Sequence, residues 1–136
     1  MPHVVVEYSD NITDQISPRR LVEALHRAAL ETGVFPLGGL RTRAARRDIY
    51  LIADGAPDNA FIAVVARIGA GRDAATRKRV ARTLMDALEA VTAEAFRTRG
   101  LALSVDVEEI DATASLKTNN LHTRLKDHAM DGEQAS

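Results

Sequence analysis

Phe61-Ile62-Ala63-Val64-Val65-Ala66-Arg67-Ile68 is apolar at every position but one. A run this short, bounded by turn-forming residues, reads as a β-strand covered on one face and partly covered on the other. The residues beyond it set the architecture. Gly69-Ala70-Gly71-Arg72 is a turn, and a long helix is expected from about Asp73 to Arg99. Val80, Leu84, Leu88, Val91 and Ala95 fall on one stripe of that helix, while Arg82, Asp86 and Glu89 face water. Gly100 ends it. Leu101-Ala102-Leu103-Ser104-Val105-Asp106-Val107-Glu108 then alternates apolar with small or polar residues, the period of a second strand.

The same order stands upstream. Pro2-His3-Val4-Val5-Val6-Glu7-Tyr8 is an apolar strand at the start of the chain, and Ser9-Asp10-Asn11 is turn chemistry. Ser17 can cap a helix with Pro18 at its first position; Leu21, Val22, Leu25, Ala28 and Ala29 share a face, and Gly33 stops it. After the loop Val34-Phe35-Pro36-Leu37-Gly38-Gly39, Leu40 to Ala44 can be extended, with Arg41 and Arg43 on one face. Strand, helix, strand thus occurs twice, about 60 residues apart, as repeated architecture without repeated letters. The expected fold is α+β. Two tandem β-α-β units, about 2–58 and 59–126, with right-handed crossovers would form a mostly parallel four-stranded sheet with two helices on one face. The uncovered face calls for an oligomer. Residues 127–136 are small and polar and read as a disordered tail.

Composition narrows the chemistry. A chain of 136 residues fits one domain with a substantial core. It has no cysteine, so disulfides and thiol nucleophiles are excluded. Net charge is −1 and the aromatics are three Phe and two Tyr, which disfavours a nucleic-acid partner. No apolar run approaches the ~20 residues of a membrane helix, and the N-terminus lacks a basic segment leading into an apolar one; a cytoplasmic, unexported protein is expected. The four histidines have no ligand spacing, so no metal is assigned. Gly69-Ala70-Gly71 lacks the third glycine of a dinucleotide fingerprint and fits a helix-start turn instead.

Pro2 carries the most specific chemistry. Methionine is normally trimmed before a small residue, which would leave a secondary amine held by the proline ring. An ordinary α-amino group titrates at roughly 7.7 to 8.0, and burial or nearby cations lower that value. Such an amine is a general base near neutral pH. Without further context, Pro2 equally suits a strand edge, where its missing N–H costs nothing, and the basic run from Arg41 to Arg47 suits a solvated face.

Four segments in order carry a resemblance that favours the functional readings. Met1-Pro2-His3-Val4-Val5-Val6-Glu7-Tyr8-Ser9-Asp10-Asn11-Ile12, Thr32-Gly33-Val34-Phe35-Pro36-Leu37-Gly38-Gly39-Leu40-Arg41-Thr42-Arg43, Ile68-Gly69-Ala70-Gly71-Arg72 and Lys117-Thr118-Asn119-Asn120-Leu121-His122 resemble the tautomerase superfamily. The match is closer still to its fused double-unit branch, the 5-carboxymethyl-2-hydroxymuconate isomerases, over about residues 2 to 125. The segment after Lys126 extends beyond the pattern. The resemblance implies a homotrimeric bacterial isomerase of homoprotocatechuate breakdown that needs no cofactor. It also implies Pro2 as base and then acid, Arg41 and Arg72 as catalytic and substrate-binding cations, and Arg43 as a third cation for a polycarboxylate substrate. A planar guanidinium suits that task because it grips a carboxylate through two parallel hydrogen bonds. The alternatives are a related tautomerase, hydratase or dehalogenase on another unsaturated acid, or a non-catalytic oligomeric binding protein if Met1 is retained. Asn119 and Asn120 are expected to bond backbone at a turn or subunit contact.

Overall fold

The computed structural model describes residues 2–135, and the side chains of residues 2–129. Its first unit is β1 (His3–Ser9), a 3₁₀ turn at Asp10–Asp14, α1 (Pro18–Glu31) and β2 (Arg41–Arg47). Its second unit is β3 (Ala60–Gly69), α2 (Ala74–Val91), α3 (Ala93–Thr98) and β4 (Leu101–Ile110). A 3₁₀ turn at Ala112–Ala114 and α4 (Leu121–Ala135) follow. The four strands form one sheet in the order β2-β1-β3-β4. Within each unit the strands pair in parallel, as a helical crossover requires. The units join through β1 and β3, which run antiparallel with Val5 opposite Val65. The sheet is therefore mostly parallel with one antiparallel pair at its centre.

Local chemistry explains the helix limits. Ser17 Oγ accepts from the Arg20 N–H, Pro18 occupies the first turn, and Gly33 beyond the last turn takes φ +73°, which costs a glycine nothing. Asp73 caps α2 by accepting from Thr76 N at 2.8 Å. The single long helix expected to Arg99 is broken at Thr92. Its hydroxyl donates to the Leu88 carbonyl at 2.7 Å and its backbone leaves helical geometry (φ −108°, ψ 6°), the bend that a threonine bonding back one turn produces. Arg82 reaches Asp86 and Glu89 in solvent, as the outer face of α2 predicts.

Leu21, Leu25, Ala28 and Ala29 of α1 and Val80, Leu84 and Leu88 of α2 are buried against Val4 and Val6 of β1 and Ile62, Val64 and Ala66 of β3. Both helices thus cover one face of the sheet. The other face is mixed. Val5, Phe61, Ala63 and Val65 are half-buried along its middle, while His3, Arg41, Arg43, Arg67 and Glu108 ring one end. The alternation of β1 and β2 puts charge on this face beside its apolar residues. The segment read as a disordered tail differs more. It is helical as far as Ala135, because it contains no proline and one glycine and continues the turn set at Asn120, whose carbonyl accepts from Arg124 N. Ser136 lies outside the described residues. No helix among the described residues is long and apolar enough to cross a membrane.

Candidate active site

Pro2 sits immediately before β1, half-buried, with its carbonyl accepting from the Arg41 N–H at 3.4 Å at the start of β2. Beside it lies the loop between α1 and β2. That loop is closed on itself, because the Pro36 carbonyl accepts from both Gly39 N and Leu40 N. Gly39 is buried, and a Cβ there would stand 3.3 Å from Pro36 Cγ and 3.4 Å from Pro2 Cδ. The glycine is what lets the loop approach the Pro2 ring so closely. Asn119, ahead of α4, donates to the Gly38 carbonyl at 2.7 Å and caps its own turn by accepting from Leu121 N, so it bonds backbone as expected.

The parallel register sets Arg41 opposite His3 and Arg43 opposite Val5. Both guanidiniums converge on one imidazole: Arg41 Nη2 is 2.9 Å from His3 Nε2, and Arg43 Nη1 is 3.0 Å from His3 Nδ1. A neutral imidazole has a single acceptor nitrogen, and a guanidinium can only donate. One of the two contacts is therefore a hydrogen bond and the other sets N–H against N–H. Burial, followed by the charges of Arg41, Arg43 and Arg67, holds His3 below its ordinary value of 6.5 and so favours the neutral ring. Neither Arg41 nor Arg43 has a carboxylate partner among the described residues, whereas Arg46 and Arg47 on the same strand pair with Asp10 and Glu7. The basic run of β2 thus divides into two arginines paired with carboxylates and two without such a partner among the described residues.

Arg72 lies elsewhere in this chain. It stands in the turn between β3 and α2, donating to the Val34 carbonyl at 3.1 Å, and so grips the far end of the loop that touches Pro2. Arg41 adjoins Pro2 through its backbone and meets Arg43 at His3, while Arg72 bonds the loop that approaches Pro2. A cavity of about 350 Å³ opens beside Arg41, lined also by His3, Arg67, Ser115, Lys117 and Thr118. Sequence reasoning misses Arg67, Lys117 and Ser115 as site residues. Arg67 is visible only as the one charge in an apolar strand, and its place opposite His3 across the antiparallel pair depends on register. Lys117 and Ser115 come from the segment after β4, which carries no periodicity. A larger groove of about 500 Å³ between α1 and α2 is lined by Arg20, Arg27, Glu23 and Glu31, with equal numbers of both signs, and lacks this cationic excess. No group of three or more potential metal-ligating side chains gathers among the described residues.

A family model described as 5-carboxymethyl-2-hydroxymuconate isomerase matches residues 2–125. The chain is 36% identical over 126 residues to the 5-carboxymethyl-2-hydroxymuconate Delta-isomerase of Escherichia coli, an alignment covering 93% of this chain and 100% of that protein. A crystal structure of a 5-carboxymethyl-2-hydroxymuconate isomerase from Deinococcus radiodurans R1 superposes with a TM-score of 0.85 at 35% identity, covering 91% of this chain and 93% of that one. A fused 4-OT solved as a symmetric trimer shares the fold, with a TM-score of 0.65 at 20% identity over 86% of this chain and 92% of that one. A proline ahead of the first strand, arginines opposite it on the second and two β-α-β units in one sheet agree with that match along nearly the whole chain: it belongs to the 5-carboxymethyl-2-hydroxymuconate isomerase family, isomerases with the tautomerase fold.

Proposed function

We propose that the protein converts 5-carboxymethyl-2-hydroxymuconate to 5-carboxymethyl-2-oxo-hex-3-enedioate in the cytoplasm, in the breakdown of homoprotocatechuate, and that it acts as a homotrimer with the Pro2 amine as its base. The observation that carries this reading is the pair Arg41 and Arg43, unmatched by any described carboxylate, on the strand hydrogen-bonded to the one that Pro2 begins. Once Met1 is removed, the neutral amine accepts the proton of the 2-hydroxyl. The O–H electron pair becomes the C2=O bond, the C2=C3 pair moves to C3=C4, and the C4=C5 pair takes a proton onto C5 from the Pro2 ammonium. One group is base and then acid, and no electrons are gained or lost. Arg41, whose backbone bonds that of Pro2, is a cation at this end of the sheet, and cations near an amine disfavour its protonated form. Arg41 and Arg72 hold the substrate and stabilise the charge of the dienolate, and Arg43 binds a carboxylate.

The trimer is supported by the half-buried open face of the sheet and by the exposure of Ile49, Leu51, Leu116 and Leu121, a set of large apolar side chains that a solvated monomer leaves uncovered. The decisive experiment is a ketonisation assay on two preparations verified by N-terminal mass analysis, one with Met1 removed and one with it kept. Retention turns the Pro2 nitrogen into an amide, which has no basic lone pair. Turnover is expected only from the processed protein, and equal rates from both would eliminate Pro2 as the base.

A further inference from the structure

We propose that the cavity between β1, β3 and the segment Ser115–Thr118 is the subsite for the carboxylate that distinguishes a tricarboxylate from a plain muconate, with Arg67 and Lys117 as its specificity residues. The inference rests on the proposed reaction and names the part of the site that selects its substrate. His3 stands between Arg41 on one side, in β2, and Arg67 on the other, in β3. Two strand spacings separate those arginines, roughly 10 Å between backbones. Arg41 lines the cavity, and its backbone N–H bonds the Pro2 carbonyl, so the cavity lies at the end of β1 that Pro2 precedes. At its far side Arg67 and Lys117 contribute two cations from different elements, and Ser115 and Thr118 add hydroxyls.

Within one subunit the charge is uncompensated. Neither Arg67 nor Lys117 has an ion-pair partner among the described residues. Glu108, opposite Arg67 in the β3–β4 register, makes no ion pair with it, and the next acid along β4, Glu109, is taken by Arg77. A volume of about 350 Å³ lies at the small end of ligand sites, which run roughly 300 to 1,000 Å³. Two cations lining one cavity without a counter-ion repel; a carboxylate bound in the cavity reduces that repulsion and can accept charge-assisted hydrogen bonds from them. Arg41 and Arg43 already serve the muconate end, so the second cation pair has work only if the substrate carries a further carboxylate.

The test compares two substrates and two variants. Arg67→Gln and Lys117→Met are both at exposed positions; thermal melts establish that they fold. Each should raise KM for 5-carboxymethyl-2-hydroxymuconate about tenfold or more, a factor equivalent to ~1.4 kcal/mol, with kcat little changed, and leave KM for 2-hydroxymuconate as in the parent. Unchanged values for both substrates, or equal losses on both, would overturn the assignment. Calorimetric binding separates this from the catalytic reading, because it needs no turnover. Propane-1,2,3-tricarboxylate should bind the parent at least tenfold more tightly than glutarate, and Arg67→Gln should abolish that preference. An inactive parent that keeps the preference would leave the subsite standing while the catalytic reading falls, and a preference that survives both substitutions would remove the subsite.

Discussion

Replacing Gly39 by alanine tests whether the loop between α1 and β2 positions Pro2. The added methyl meets Pro36 Cγ at 3.3 Å and Pro2 Cδ at 3.4 Å, a few tenths of an ångström inside the ~3.5–4.0 Å optimum for carbon contacts. The loop side resists, because two backbone N–H groups converge on the Pro36 carbonyl. Pro2 is held near this point by the long 3.4 Å bond from Arg41 N, so the displacement falls on the ring that carries the proposed base. Overpacking of this kind costs roughly 1–3 kcal/mol, and replacing a glycine returns about 0.4–1 kcal/mol by restricting the unfolded chain. The net loss of stability is small, a shift in Tm of a few degrees. The effect on turnover is larger. A misplacement of about 1 Å costs on the order of 10²-fold in rate, so half that predicts about a tenfold fall in kcat/KM for Gly39→Ala. Steady-state assays of the folded variant, with the melting curve beside them, give both numbers. Undiminished kcat/KM would refute the positioning role, as would a loss wholly explained by unfolding.

His3→Gln should remove an acid-side sensitivity. The unfolded histidine binds its proton near 6.5 while the folded ring resists protonation, so stability is present above that pH and is lost as pH falls from 6.5 towards the lower folded value. Melting curves between pH 7 and 4 should fall less steeply for the variant, and parallel curves would show that His3 is not held neutral. Light scattering at micromolar concentration should give about three times 14.7 kDa, and a stable monomer would remove the trimer together with any site completed by a neighbouring subunit.

Much of this fold is legible because burial leaves a period. The stripes of α1 and α2 and the alternation of β1 and β4 follow from which residues face the core, and Ser17, Pro18 and Gly33 mark α1 by their backbone chemistry. The break at Thr92 is not legible in this way, since it arises from one hydroxyl choosing a carbonyl within its own helix. The antiparallel junction of β1 with β3 escapes periodicity for a different reason. Alternation assigns each residue to a face and says nothing about which strand lies beside it. The site divides along the same line. Arg41 and Arg43 declare themselves by sharing a face of one short segment. The meeting of His3 with Arg67 depends on a register between residues 64 positions apart, and Lys117 enters from a stretch without periodicity, although it opens the last of the four family-like segments.

The central pairing of β1 with β3 makes the two units near mirror partners in role, each offering a first strand at the middle of the sheet, and the chain has only one beginning. Ahead of β1 stands Pro2, with Gly39 making room for its ring. Ahead of β3 stands Asn59, where a Cβ on Gly100 would come 2.6 Å from the amide oxygen. The matching corner holds a residue that is fixed in mid-chain, donating to the Ile52 carbonyl and to Asp54. Removal of an initiator methionine frees no amine at an internal residue. Joining two units into one polypeptide therefore halves the number of ends on which the proposed proline chemistry can be built, and it releases the second corner to become a clasp for the connection between the halves.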